Sequence, residues 1–398
     1  MKITHMKSNQ TPANSPAKIK RVGVVGGGQL AWMMGDAALK LGIDLVVQTP
    51  SASDPAVSVA AAAVLAAVDD VEATAELADR CDVITFENEF VDLDALGKLA
   101  QQGVLFQPSL PSLAPLLDKY VQRCYLQELG LPTPRFWAWD GGADLPSGPI
   151  DFPFVIKARR HGYDGQGTFI VKNEADFKFV CTKFKGRSLL LEEFVPFDRE
   201  LAAIAARSDS DLIAVYPIVE TQQENQVCRL VIAPADISLD VKAEAESIAR
   251  TLLNSLQAVG VFGIELFLTA DNKLLVNEIA PRTHNSGHFT IDACKTSQFE
   301  QHLRAVCQLP LGNCELNSAG AVMVNLLGYE SAESDYLGKR KQLAQISGAF
   351  VHWYGKKESR PGRKLGHVTV VLDRESTQNG RTQAESIART VESIWNAS

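Results

Sequence analysis

The chain is 398 residues long, with 39 Lys plus Arg against 47 Asp plus Glu and 46% hydrophobic residues; that length suits two or three domains rather than one small core. A formal charge of −8 argues against general nucleic-acid binding, which needs a basic surface, and leaves any phosphorylated ligand to local basic clusters. No run reaches the roughly 20 apolar residues of a bilayer span, and the seven scattered cysteines contain no C-x-x-C pair, which points to a reducing cytoplasm.

Residues 1–20 are polar, carry Pro12, Pro16 and four lysines, and read as a flexible extension rather than a secretory signal. From Arg21 the pattern turns regular. Arg21–Val25 is a short apolar strand, Gly26-Gly27-Gly28 a tight turn, Leu30 to Leu41 a helix and Ile43 to Val47 a second strand. Further strands at Asp82–Phe86 and Val104–Phe106, with helices between, imply a parallel sheet over about 21–120. A helix near Pro115–Leu129 follows, stopped by Pro132 and Pro134. Over 121–306 strand-like runs dominate (Phe154–Ala158, Thr168–Val171, Leu189–Val195, Leu201–Ala206, Leu212–Val219), with one long helix near Ser238–Ala258. Short strands at Ala321–Leu326, Phe350–Tyr354 and His367–Leu372 and a helix at Arg381–Trp395 make 307–398 a smaller third unit.

The turn Gly26-Gly27-Gly28-Gln29-Leu30-Ala31 fits G-x-G-x-x-A, in which small residues let a helix N-terminus approach a phosphate. A nicotinamide site needs a carboxylate at the end of the second strand; Gln48-Thr49-Pro50 supplies none, which leaves a phosphate site or a purely structural turn. Lys157-Ala-Arg159-Arg160-His161-Gly162-Tyr163-Asp164-Gly165-Gln166-Gly167 sets a Gly-rich loop beside fixed positive charge, a lid for polyphosphate or, taken alone, an exposed hairpin.

Glu265 and Glu278 lie on two alternating strands around a two-residue turn at Asp271-Asn272, a register that places them face to face. Opposed carboxylates repel unless a proton or cation lies between them, and an all-oxygen set with substrate phosphates suits magnesium. His284-Asn-Ser-Gly-His288 has H-x-x-x-H spacing but no helix-forming residues between, so a polar substrate loop is the better reading. Lys356-Lys357 and Arg360-Pro-Gly-Arg363-Lys364 concentrate positive charge in an acidic chain, as a solvated run or a phosphate clamp.

Taken in order, the Gly-rich turn, K…G-Y-D-G-x-G, E-E-F-V…E, G-I-E…N-E-x-A-P-R-T-H-N-S-G-H and R-P-G-R-K-L-G-H resemble the 5-(carboxyamino)imidazole ribonucleotide synthetases, ATP-grasp enzymes of purine biosynthesis, from Arg21 to at least His367. The resemblance implies an α/β and α+β chain: an N-terminal parallel-sheet, Rossmann-like pre-ATP-grasp domain, a central ATP-grasp domain with a Gly-rich lid, and a small β-rich C-terminal domain. It implies an ATP- and magnesium-dependent carboxylation of aminoimidazole ribonucleotide with bicarbonate, through carboxyphosphate.

Carried over by motif, Lys119 and Lys157 contact ATP phosphates beneath a lid of Gly162, Tyr163, Asp164, Gly165, Gln166, Gly167 and Thr168. Glu192, Glu193, Phe194 and Val195 hold the adenine and Glu200 the ribose, with Gln223 and Asn277 on the nucleotide side. Glu265 and Glu278 are the metal ligands, Arg282 and His284 belong to the substrate site, and Asp164, Arg282 and Lys356 are the catalytic candidates. Gly28, Gln29 and Leu30 meet the 5′-phosphate; Glu87 and Glu89 meet the ribose; Tyr163, Gln166, Lys356 and Arg363 complete the nucleotide-substrate site.

Three departures stand out: Gln166 where the family usually has Arg or Lys, Lys119 where Arg is common, and Gln223 where His is usual. The first is expected to raise the Michaelis constant for the nucleotide. The family also implies a homodimer, and a downstream mutase is a candidate partner. Another ATP-grasp carboxylate–amine ligase, or a non-catalytic nucleotide-binding protein, stays open as an alternative.

Overall fold

The computed structural model describes residues 19–141, 151–160, 167–224, 226–373 and 380–396. Of the expected site residues, Gly162, Tyr163, Asp164, Gly165 and Gln166 lie outside them, as does most of the N-terminal extension.

Strands β1 (Arg21–Val25), β2 (Asp44–Thr49), β3 (Ala62–Leu65) and β4 (Val83–Phe86) form an all-parallel sheet in the order β3-β2-β1-β4. Val22, Val24 and Val25 are fully buried, because a parallel sheet is covered by helices on both faces. Val104–Phe106, expected as a further strand, contributes only a single parallel bridge, Phe106 to Ile84. Gln48 is buried and donates to the carbonyls of Ala67 (2.7 Å) and Asp70 (3.0 Å) while accepting from Thr74 Oγ1 (2.8 Å). The position that a ribose-binding carboxylate would fill is thus an internal brace.

A second sheet is antiparallel, with β5 (Phe136–Trp139), β6 (Phe154–Ala158), β7 (Thr168–Val171) and β8 (Leu189–Glu193) in the order β5-β8-β6-β7. The third sheet takes β9 (Phe197–Arg207), β10 (Ile213–Val215), β11 (Val219–Glu224), β12 (Val227–Ala233), β13 (Gly260–Thr269) and β14 (Leu274–Ala280). The run Leu212–Val219, expected as one strand, is therefore split between β10 and β11. Through β12 pairing with β15 (Gly320–Leu327), this sheet continues without a break into the C-terminal strands β17 (Ala349–Trp353) and β19 (Lys364–Leu372). A small ribbon pairs β16 (Ala332–Glu333) with β18 (Glu358–Ser359). The helix Leu239–Leu256 buries Val241, Ala245, Ile248, Ala249, Leu252, Leu253 and Leu256 against β9, β13 and β14, the i, i+3/i+4 stripe of an amphipathic helix.

The β13–β14 hairpin departs from expectation twice, and the departures cancel. The Thr269 N–H donates to the Lys273 carbonyl (3.0 Å), so the loop is three residues long, with Asn272 at φ +60°. That turn alone would shift the register by one residue. A bulge in β14, with Leu266 opposite Val276 and Glu265 opposite Glu278, restores it at the two carboxylates. The helix expected from Pro115 starts at Lys119, because the Asp118 carboxylate caps it by accepting from Tyr120 N (2.9 Å) and Val121 N (3.3 Å).

Candidate active site

Every expected site residue that is described lines one cleft of about 960 Å³ between the three sheets. At one end stand Lys119, Lys157, Gly167, Thr168, Glu192, Glu193, Phe194, Val195, Glu200 and Gln223; Glu265, Asn277, Glu278, Arg282 and His284 follow; Gly28, Gln29, Leu30, Glu87, Glu89, Lys356 and Arg363 complete it.

Lys157 reaches the cleft from β6 and Glu192 from β8. Glu192 turns inward, between Arg123 Nε and Lys157 Nζ (2.6 Å to the latter), with its side chain 3% exposed. Burial alone would raise its carboxyl pKa; the two cations override that and hold it at about 2. Glu193 pairs with Arg135 Nε (2.7 Å). Both glutamate side chains are thus engaged within the protein, and the backbone of Glu192 and Glu193 pairs with β5 and β6 on either side. Phe194 is partly exposed there, and Phe197 stacks on Phe267 with centroids 4.6 Å apart.

Arg123 was not visible as a site residue in the sequence: a lone Arg in the middle of a helix has no motif around it. Its Nη2 donates to the Asn277 carbonyl. Lys157 Nζ also donates to Asn277 Oδ1 (3.0 Å), and Asn277 Nδ2 donates to Glu265 Oε2 (3.2 Å). One polar chain therefore runs from the helix Lys119–Glu128 through β8, β6 and β14 to β13.

Glu265 and Glu278 face each other in register. Burial and then the Glu278 charge push the Glu265 carboxyl up to about 7. Glu278 is held below its ordinary range: burial works against it, but Lys119 Nζ, in an ion pair with Oε1, prevails. Glu200, on β9, is raised to about 7 by burial and by Glu265, against a hydrogen bond from Gln223. Among the described residues no group of three or more His, Cys, Asp or Glu side chains is placed to hold a metal ion.

Arg282 crosses to the N-terminal domain, its Nε 2.9 Å from Glu89 Oε1. His284 Nδ1 lies 2.8 Å from Ser286 Oγ and accepts from the Ser286 N–H at 3.4 Å. A ring nitrogen that accepts from a backbone N–H carries no proton itself, so in the neutral ring the proton sits on Nε2, 3.6 Å from Glu265 Oε1. His288, four residues on, is fully buried, its Nδ1 3.1 Å from Gln298 Nε2.

At the opposite end of the cleft, Glu87 lies against the Gly-rich turn. Its Oε1 accepts from Leu30 N (3.4 Å), and a Cβ on Gly28 would collide with that carboxylate. Burial pushes Glu87 up to about 7, opposed chiefly by Arg282. Lys356 Nζ bridges domains by donating to Gln29 Oε1 (2.7 Å) and to the Lys364 carbonyl (2.8 Å). Arg363 Nη1 donates to the Glu358 carbonyl (2.9 Å).

Comparison with known proteins places this architecture. Family models match in sequence: a ribonucleotide synthetase preATP-grasp domain at 19–114, an ATP-grasp domain at 124–299 and a phosphoribosylaminoimidazole carboxylase C-terminal domain at 321–379. The chain is 54% identical to N5-carboxyaminoimidazole ribonucleotide synthase of Synechococcus elongatus over 95% of its own length and 96% of that protein's. It is 52% identical to the Synechocystis enzyme of the same name, over 95% and 98%. A solved ADP complex of an N5-carboxyaminoimidazole ribonucleotide synthetase superposes with TM-score 0.86 at 33% identity, covering 95% of this chain and 98% of that one. An Aspergillus clavatus synthase in complex with ADP and 5-aminoimidazole ribonucleotide gives 0.84 at 32%, covering 95% and 98%. Three domain matches in order and identity above one half along nearly the whole length leave one assignment: the chain belongs to the N5-carboxyaminoimidazole ribonucleotide synthase family of ATP-grasp ligases.

Proposed function

We infer that this chain carboxylates 5-aminoimidazole ribonucleotide with bicarbonate, driven by ATP, to give the N5-carboxyamino product, ADP and phosphate. The observation that carries the reading is the single cleft in which a phosphate-binding end (Lys119, Lys157, Glu265, Glu278), an Arg282–His284 centre and a Gly28–Lys356–Arg363 end are continuous. A bicarbonate oxygen attacks the γ-phosphorus and ADP leaves; carboxyphosphate then gives its carboxyl carbon to the exocyclic amine, phosphate departs and the amine loses a proton.

The chain's own groups suit these steps. Lys119 and Lys157 put fixed charge where the transferred phosphoryl group develops its own, and positioning does most of the work in phosphoryl transfer. Arg282 supplies a planar donor set for a carboxylate-shaped anion, and His284 presents an Nε2–H beside it. Glu265 and Glu278 are the residues that would hold magnesium, which when bound neutralises phosphate charge. Glu87 and Glu89 suit the substrate ribose, and Gly28 to Leu30 with Lys356 and Arg363 its phosphate. Closing the 162–168 loop would keep water from carboxyphosphate, with Asp164 as the carboxylate to test for handling the amine proton. A cytoplasmic homodimer supplying a mutase belongs to the same reading.

A coupled assay of ADP release tests this. Turnover should require both the imidazole nucleotide and bicarbonate; equal turnover with another carboxylate or amine, or none with this pair, overturns it.

A further inference from the structure

The centre of the site is a loop, and at His284 it is held by a buried side chain that no motif contains. Gln298 opens the helix Gln298–Val306 and is fully buried. Its Oε1 accepts from the His284 N–H (2.9 Å) and its Nε2 donates to the His284 carbonyl (2.7 Å), so one amide satisfies both backbone groups of that residue as a neighbouring strand would. Nε2 also lies 3.1 Å from His288 Nδ1. Gly287 makes room for it: a Cβ there would come within 2.5 Å of Gln298 Oε1.

The base is rigid. Gln298 N donates to Thr290 Oγ1 (2.9 Å), the helix packs on Gln29–Leu41, and Lys40 reaches Glu300 at 2.6 Å. From the other side Asn325, on β15, exchanges two amide hydrogen bonds with Asn285 (3.1 and 2.7 Å). With the backbone fixed at 284 and 285, the imidazole direction follows from the Ser286 contacts to Nδ1, and Nε2–H is aimed at the Glu265 side of the cleft.

We propose that Gln298 is a positioning residue for the carboxylation: its two-pronged amide sets the backbone of His284, and through it the direction of the Nε2–H that meets the bicarbonate-derived anion. This rests on the functional reading above. Gln298→Leu keeps volume and deletes both bonds. Gln298→Glu keeps both only while the carboxyl is protonated, since only the acid form donates to the His284 carbonyl.

For Gln298→Leu the expected result is a Michaelis constant for bicarbonate raised tenfold or more, more ADP released per carboxylated product, and a constant for ATP within twofold of the parent. Gln298→Glu should approach parental coupling at low pH and lose it as pH rises, because burial raises the carboxyl pKa and ionisation above it removes the donor. A Gln298→Leu enzyme that is less thermostable but has an unchanged bicarbonate constant and tight coupling overturns the proposal. Spectra of ¹⁵N-histidine protein give a second readout without turnover: His284 should hold its proton on Nε2 in the parent and average between nitrogens in Gln298→Leu, and identical spectra also overturn it. A parent enzyme with no response to bicarbonate and the nucleotide defeats the functional reading, while the spectra still decide the clamp.

Discussion

Replacing Glu192 by Gln removes one negative charge from a site where Arg123, Glu192 and Lys157 have side chains 2%, 3% and 9% exposed. The carboxyl sits at about 2 against an ordinary 4.5, and a difference of about 2.5 pKa units corresponds to about 3 kcal/mol of folded-state stabilisation. That agrees with the roughly 3–5 kcal/mol lost when one partner of a buried ion pair is deleted. The sign follows from the depressed value. The stabilisation is complete above about pH 4.5, where the unfolded chain is already ionised, and fades as pH falls towards 2. Calorimetric or urea unfolding should therefore show Glu192→Gln less stable by about 3 kcal/mol at pH 7, or about 4 °C in Tm for 398 residues unfolding together. The gap should stay constant from pH 6 to 8 and narrow by about 1 kcal/mol at pH 3.5. The ATP Michaelis constant should rise as well, because Lys157, already lowered by burial, loses the anion that keeps it charged. A negligible gap at pH 7, or one that does not narrow in acid, would refute the reasoning.

The facing carboxylates Glu265 and Glu278 behave differently. Glu278→Gln should cut ADP release by about 10³-fold or more while leaving Tm little changed, because Glu278 is partly exposed. Glu265→Gln should cut it comparably but raise Tm above pH 7, because a carboxyl held at about 7 in the fold costs stability once the unfolded chain ionises. Manganese titration followed by electron paramagnetic resonance in the presence of ADP should show weakened binding in both. At the substrate end, Glu87→Gln should be more stable than the parent above pH 7. A carboxyl raised to about 7 in the fold holds its proton while the unfolded chain sheds one, so the parent loses stability from about pH 4.5 up to 7 and then levels off. Thermal melts at pH 5 and 8 check this, with a widening gap at the higher pH expected and a parallel rise in the nucleotide Michaelis constant.

Much of the site was legible because its chemistry is local. The carboxylate pair, the Gly-rich turn and the basic C-terminal loop each sit in a short motif, and all fall in one cleft. The hairpin shows the limit of such reading. Alternation placed Glu265 opposite Glu278 correctly, yet by way of a two-residue turn that is in fact a three-residue loop compensated by a bulge. Period-two patterning reports which face a residue takes but not an inserted residue. Long-range partners were invisible for a different reason. Arg123 to Glu192 spans 69 residues, Asn285 to Asn325 spans 40, and Lys356 to Gln29 spans 327, so only the fold brings them together. Gln48 was read for what it lacks; the structure gives it three internal hydrogen bonds.

The path of oxygen from bicarbonate tests the chemistry most directly. With ¹⁸O-labelled bicarbonate, the imidazole nucleotide and ATP, mass spectrometry of the released phosphate should find one labelled oxygen per turnover, because the atom that attacks the γ-phosphorus leaves with it. Phosphate whose fourth oxygen comes from water, with no label, would contradict attack by bicarbonate, and with it the role given to the cleft's phosphate-binding end.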